Sequence, residues 1–399
     1  MHGDVFRKDN RWLLPEGIHE VLPPRAQQLE QLRRELLDLF RGWGYELVMP
    51  PFIEFLDSLL TGTGHDLDLQ TFKLTDQLSG RLMGVRADMT PQAARIDAHQ
   101  LKRDEPVRLC YVGTVLRTRP DGINGSRDLL QVGAELFGYA GVEADIEIIE
   151  LMVRSVRAAR IDAIHLDLGH VGIYRGLVRQ AGLPGEAEAR LFDALQRKAV
   201  PEIESLLAEL AVVEPVRSML AALPQLHGGV EVLDQAGKVL AAATPEVLGA
   251  LKDLWGIAAA LERRMPEVPL HFDLAELRGY QYHTGAVFAA FSPGYGRELA
   301  RGGRYDQIGK VFGRSRPATG FSADLKTLAA LGLGAVVPSA SGILADWSDE
   351  PEAVAEVERL RAQGERVVWA LPGQSGDARA MGCDRRLTRV DGQWTLVPV

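Results

Sequence analysis

After Pro23 and Pro24 the apolar residues Leu29, Leu32, Leu36, Leu37 and Phe40 recur at helical spacing with Arg, Gln and Glu between them, which predicts an amphipathic helix ending at Gly42-Trp43-Gly44. The pattern then turns β-prone in YELVMPPFIEF, where Pro50-Pro51 excludes a central ladder and predicts an edge or an interface. VRLCYVGTVLR (107–117) and LLQVGAELFG (129–138) read as two strands of a hairpin joined by the turn-forming TRPDGINGS. AIHLDLG, PLHFDLAELR and YHTGAVFAAF add three more strands, the last closed by SPGYG, for a mostly antiparallel sheet. Residues 171–265 are rich in Leu, Ala and Glu and are broken by Pro184, Pro201, Pro215, Pro224 and Pro245, which predicts short helices inserted between strands. Beyond PSASG, a linker by composition, the tail reads as strand GILAD, helix PEAVAEVERLRAQG, strand RVVWALPG and a final DGQWTLVPV. GFSADLKTL (320–328) starts as alternating apolar and small residues and becomes helical. The fold class expected is α+β.

Length and charge narrow the chemistry. A chain of 399 residues with 46% apolar content can bury more than one core. A formal net charge of -9 argues against a broad nucleic-acid surface, since phosphate binding needs clustered Lys and Arg. Cys110 and Cys383 lie far apart in the sequence, offer no disulfide framework and read as core thiols of a reducing compartment. The amino terminus lacks an apolar leader and no stretch is long enough to span a bilayer, so a cytoplasmic protein without a membrane partner is expected. The nine histidines form no metal-ligating spacing, and no nucleophile elbow, Walker loop or dinucleotide fingerprint occurs, so neither metal nor cofactor is expected.

Polar residues placed on apolar strands carry more information. Arg117 ends one strand of the hairpin, while Gln131 and Glu135 share a face of the other because strand side chains alternate. Asp88 and Thr90 in RADMTPQAAR share parity, and Arg278 precedes Tyr282 and His283 in LRGYQYHTG. If they converge, two arginines hold a carboxylate, acids hold an ammonium, and Glu135 with a ring neighbour reads an imidazole or similar group. Singly, each is more often a strand-end ion pair or solvated edge than a ligand, and GGRYD alone reads as a tight turn.

Taken in order, these segments resemble the catalytic core of histidyl-tRNA synthetase, a class II synthetase, over roughly residues 12 to 335. YELVMPP is similar to motif 1, the dimer-interface strand; RLCYVGTVLR through QVGAELFG resembles the motif 2 hairpin; RGYQYHTGAVF and GGRYD, with Tyr305, resemble the histidine-specific signatures; and GFSADLKTL falls where motif 3 belongs. The resemblance implies a class II antiparallel sheet flanked by helices over residues 1–170 and 266–335, a helical insertion at 171–265 and a small α/β unit at 342–399. It departs where ATP is handled. Thr327 stands where motif 3 has an arginine, Arg119 where motif 2 has a glutamate that reads adenine, and Asp324 in a slot usually held by glycine, where it is expected to set a negative charge beside the nucleotide. Of the family segment RxRQFHQ only Arg127 and Gln131 remain. Losing one preorganised group typically costs about 10²- to 10³-fold in rate, so three such changes predict no adenylation.

With RADMTPQ in place of the synthetase RPEGTA, the chain is similar to regulatory subunits of ATP phosphoribosyltransferase. That resemblance implies a non-catalytic protein, a homodimer within a hetero-oligomer, partnered by the short-form catalytic subunit of the first step of histidine biosynthesis and transmitting feedback by histidine. A pocket of Asp88, Thr90, Arg117, Gln131, Glu135, Arg278, Tyr282, His283 and Tyr305 matches free histidine group for group. His283 replaces a tyrosine of the synthetases, and its charge is expected to vary between about pH 5 and 8, which predicts weak binding. The alternatives are a divergent histidyl-tRNA synthetase, since Arg117, Gln131, Glu135 and Arg278 survive, and an amino-acid sensor acting on another partner. Residues 331–399 carry seven Arg and no Lys against ten Asp and Glu, so the tail is read as packing or subunit contact rather than a tRNA grip.

Overall fold

The computed structural model describes residues 12–61, 65–120, 125–276, 279–280, 282–333 and 342–399. Arg278, most of the PSASG linker and part of the hairpin loop therefore lie outside the described residues. The chain divides into two compact units, 1–334 and 335–399.

Twelve strands build the first unit among the described residues: β1 (Glu46–Leu47), β2 (Ile53–Phe55), β3 (Phe72–Thr75), β4 (Leu82–Val85), β5 (Val107–Leu116), β6 (Asp128–Phe137), β7 (His165–His170), β8 (His227–Gly228), β9 (Leu270–Asp273), β10 (Ala286–Phe291), β11 (Ala300–Arg304) and β12 (Ala318–Asp324). Nine of them form one sheet in the order β1-β5-β6-β12-β11-β10-β7-β9-β8, parallel only at β1–β5 and β7–β9. β1 sits at the sheet's end, as its following prolines require. β2, β4 and β3 form a small sheet of their own.

The amphipathic helix spans Arg25–Gly42 and buries Leu29, Leu32, Leu36 and Phe40. A second helix, Val142–Ala158, starts with acidic residues in its first turn and ends with Arg157, complementing its dipole. Its Asp145 accepts a hydrogen bond at 2.8 Å from the buried Arg304 of β11. Both helices join the sheet in one apolar cluster. That cluster continues into the helices of 171–264, where each proline acts as a boundary rather than a break. Pro184 and Pro215 immediately precede helices, Pro201 and Pro245 occupy first turns, and Pro224 sits in a short 3₁₀ turn.

Several segments differ from the sequence reading: residues 282–285, read as the start of the strand YHTGAVFAAF, form a turn before β10, and residues 385–390, assigned no element, form a strand. Residues 300–304, read as part of a turn, form β11, and the first half of GFSADLKTL belongs to β12, a central strand. Glycine obscures both. A Cβ on Gly320 would lie 1.5 Å from a Glu135 carboxyl oxygen, so this position of β12 must be bare for Glu135 to occupy the sheet face.

The second unit holds β13 (Ile343–Asp346), the helix Pro351–Ala362, β14 (Val367–Ala370), β15 (Arg385–Val390) and β16 (Gln393–Pro398), with sheet order β14-β13-β15-β16. Asp391 and Gly392, both with positive φ, close the β15–β16 hairpin. Cys383 is buried here and Cys110 is buried in the first unit; both are free thiols.

Candidate functional site

Where β6, β12, β11 and β10 run side by side, the sheet face opens into a cavity of about 420 Å³. Asp88 and Thr90 reach it from the start of the helix Thr90–Arg95, Glu135 from β6, Tyr305 from the end of β11, and Tyr282 and His283 from the turn before β10. Arg117 lines it from the end of β5, its Nε 3.5 Å from the Ala87 carbonyl. Seven predicted residues thus share one cavity. Gln131 lies beside them as a brace: its amide donates to Asp88 Oδ1 at 2.8 Å and accepts from Met89 N at 2.8 Å. Asp88 Oδ1 also accepts from Thr90 N at 3.0 Å.

Glu135 is the most deeply set of these groups. Tyr111 donates to its Oε1 at 2.7 Å, Tyr305 donates to its Oε2, and Thr90 Oγ1 lies 2.9 Å from the Tyr111 hydroxyl. The hydroxyls favour the carboxylate, yet burial outweighs them and pushes the Glu135 carboxyl up to about 8. Near neutral pH it carries a proton. The sequence reading took it as a charge; burial makes it a neutral group able to donate or accept.

His283 is also corrected. Burial lowers its imidazole to about 4, with Nδ1 3.3 Å from the Arg304 carbonyl, so the ring is neutral throughout the pH range in which it was expected to titrate. Tyr282 stacks on Tyr305 with centroids 5.1 Å apart, and its buried hydroxyl has no hydrogen-bond partner among the described residues. Burial, with the Glu135 and Asp88 carboxyls nearby, holds that phenol well above its ordinary range, so it stays a donor.

Tyr111, Tyr280 and Phe192 escaped the sequence reading. For Tyr111 a signal existed. The hairpin register sets it opposite Gly133, over which its ring lies to reach Glu135 two residues on. Tyr280 and Phe192, from distant segments, form another wall of the cavity, and no local pattern announces that meeting.

The segment expected to carry ATP chemistry is built differently. Asp324 caps the helix Leu325–Gly332: Oδ2 accepts from Thr327 N at 3.1 Å and Thr327 Oγ1 at 2.6 Å, while Oδ1 accepts from Lys326 N at 3.3 Å and Leu130 N at 3.0 Å. Lys326 in turn pairs with Asp128 at 2.7 Å. Asp324 is therefore a saturated cap tying the helix to β6 rather than a free charge facing a nucleotide. Arg119 is exposed.

The comparisons with known proteins follow this division. A family model described as Histidyl-tRNA synthetase matches residues 17–328, and one described as ATP phosphoribosyltransferase subunit HisZ C-terminal domain matches residues 340–397. A protein of Alkalilimnicola ehrlichii named ATP phosphoribosyltransferase regulatory subunit is 66% identical over 401 residues, covering 100% of both chains. The chain belongs to the ATP phosphoribosyltransferase regulatory subunit family. Its role is that of a regulatory subunit in histidine biosynthesis, on a class II synthetase-like α+β fold. A solved Bacillus halodurans protein titled ATP phosphoribosyltransferase regulatory subunit/histidyl-tRNA synthetase superposes with a TM-score of 0.82 at 28% identity, covering 93% of this chain and 96% of its own. Histidyl-tRNA synthetase from Nostoc shares the fold, with a TM-score of 0.78 at 17% identity and 97% coverage of each. The regulatory-subunit family thus keeps the synthetase architecture to which the sequence motifs pointed. Among the described residues no helix is long and apolar enough to cross a membrane.

Proposed function

We propose that the chain is a non-catalytic subunit that assembles with a short-form ATP phosphoribosyltransferase catalytic subunit, switches it on and conveys feedback by histidine. The observation that carries the non-catalytic part is the Asp324 cap. Its two oxygens take four hydrogen bonds from Leu130, Lys326 and Thr327, which occupies the slot of the motif 3 arginine. With Thr327 in that slot and bonded to the cap, a triphosphate there finds no guanidinium. The purified protein is expected to give no histidine-dependent ATP–pyrophosphate exchange; exchange above background would contradict this reading.

The cavity supports free histidine as the ligand. Asp88 offers an acceptor for an ammonium, Arg117 a cation for a carboxylate, and the Glu135 carboxyl and Tyr282 hydroxyl polar partners for a neutral ring. An unpaired buried phenol is a cost that a polar ligand removes. Assembly draws on a separate surface. Leu47, Met49, Phe52 and Ile53 are exposed along the motif 1 segment, Met49 at 81%. Such a strip fits a two-fold homodimer, the commonest closed symmetry. Light scattering should give a dimer that Met49→Glu dissociates; a concentration-independent wild-type monomer would refute it.

A further inference from the structure

The turn that brings Tyr282 and His283 to the cavity is gripped from outside the sheet. Arg175 sits on the helix Val171–Ala181. Its Nη2 donates to the carbonyls of Tyr280 at 2.7 Å and His283 at 3.1 Å, on either side of Tyr282, and its guanidinium lies 4.8 Å from the Tyr280 ring centroid. Gly279, at φ +67°, sets the turn, and its carbonyl accepts from Tyr282 N and His283 N at 2.8 Å each. One cationic nitrogen thus serves both carbonyls while the charge lies against the aromatic ring.

Tyr280 is held a second time. Its hydroxyl donates to Glu188, and its ring packs against Phe192 with centroids 5.2 Å apart; both partners lie on the helix Gly185–Gln196. On the inner side of the same turn, Tyr282 stacks on Tyr305, which donates to Glu135. Bonds and ring contacts therefore run without a gap from Glu135 to the helix Gly185–Gln196. The turn faces the cavity through Tyr280, Tyr282 and His283, and Tyr280 also reaches the helix through its hydroxyl. A ligand that favours one setting of this turn biases the helix as far as these contacts couple the two.

We propose that Arg175 is a positioning residue for the cavity and that, together with the Tyr280–Glu188 bond, it couples occupancy of the cavity to the helix Gly185–Gln196, making that helix the element that registers a bound amino acid. The proposal rests on the reading of the cavity as an amino-acid site. Its test uses the full chain mixed with the short-form catalytic subunit and L-histidine as the probe, with calorimetry for affinity and hydrogen exchange for the helix. In the wild type, histidine slows exchange across 185–196. Arg175→Met weakens histidine binding by about tenfold, within the usual size of coupling, and Arg175→Lys restores most of it. Glu188→Ala, which removes the partner of the Tyr280 hydroxyl without touching the cavity lining, leaves affinity near the wild-type value and abolishes the slowing in 185–196. If Arg175→Met does not fold, the exchange pattern of Glu188→Ala decides. Wild-type binding with unchanged affinities and unchanged slowing in the variants overturns the coupling and leaves the amino-acid site standing. No histidine binding to the wild-type complex overturns both.

Discussion

The Glu135 region and the Asp324 region stand on neighbouring strands, and the register pairs Gly320, Glu135's neighbour, and Asp324 along the same edge of β6. They handle polarity in opposite ways. Around Glu135 a carboxyl that burial has neutralised, three hydroxyl partners and a phenol without a partner among the described residues line a cavity. Around Asp324 both carboxylate oxygens are engaged by the helix they cap and by Leu130. The contrast is between polar groups that saturate one another and a cavity wall that keeps one buried hydroxyl, that of Tyr282, without a partner among the described residues.

The largest effect that bears on this contrast is the absence of chemistry at the Asp324 end. Histidine-dependent ATP–pyrophosphate exchange should sit at background, several orders of magnitude below a working synthetase, because each missing group contributes about 10²- to 10³-fold. A measurable exchange rate would erase the distinction between the two regions.

Glu135→Gln sharpens the other side. The folded carboxyl titrates near 8 against an ordinary value of 4.5, so between those values the folded chain holds a proton that the unfolded chain has released. The penalty for burying this group is absent below about pH 4.5, grows as pH rises and is complete above about 8. Relative to wild type, Glu135→Gln should therefore gain stability as pH rises from about 4.5 to about 8, and nothing at pH 4. Denaturant unfolding of both proteins across that range checks the sign. A variant whose advantage stays flat or shrinks with rising pH would show that the folded Glu135 carboxyl is not held above its ordinary value.

A smaller effect belongs to the cap. Asp324→Ala should cost about 1–2 kcal/mol, the usual loss for a helix N-cap, and should leave exchange activity at background. Unfolding midpoints measure the first part. A variant that lost no stability, or gained adenylation, would mean that Asp324 blocks a nucleotide site instead of capping a helix.

Regular periodicity made much of the fold legible. Leu29, Leu32, Leu36 and Phe40 announce their helix, and alternation along 107–117 and 129–138 announces the hairpin, because each pattern reflects one buried face. β11 and β12 were obscured by close approach. Gly302 and Gly320 leave no room for a Cβ, since one on Gly302 would lie 2.1 Å from the Gly320 carbonyl, so central strands carry the composition of loops. In the cavity, parity paired Gln131 with Glu135 and Asp88 with Thr90, and the order of motifs joined them to Tyr282, but protonation was not legible. The neutral states of Glu135 and His283 come from burial by residues distant in sequence. Asp324 was legible in principle as an acidic residue just ahead of a helical run, and comparison with a synthetase slot hid the simpler role.

The account's central claim is that this chain acts through a partner. The direct measurement is phosphoribosyl transfer by a short-form ATP phosphoribosyltransferase catalytic subunit, assayed alone and with increasing amounts of this chain, then with histidine added. Activity should appear as the chain is added, saturate when the hetero-oligomer is complete and fall with histidine. A catalytic subunit whose rate is unchanged at saturating amounts of the chain would contradict the account.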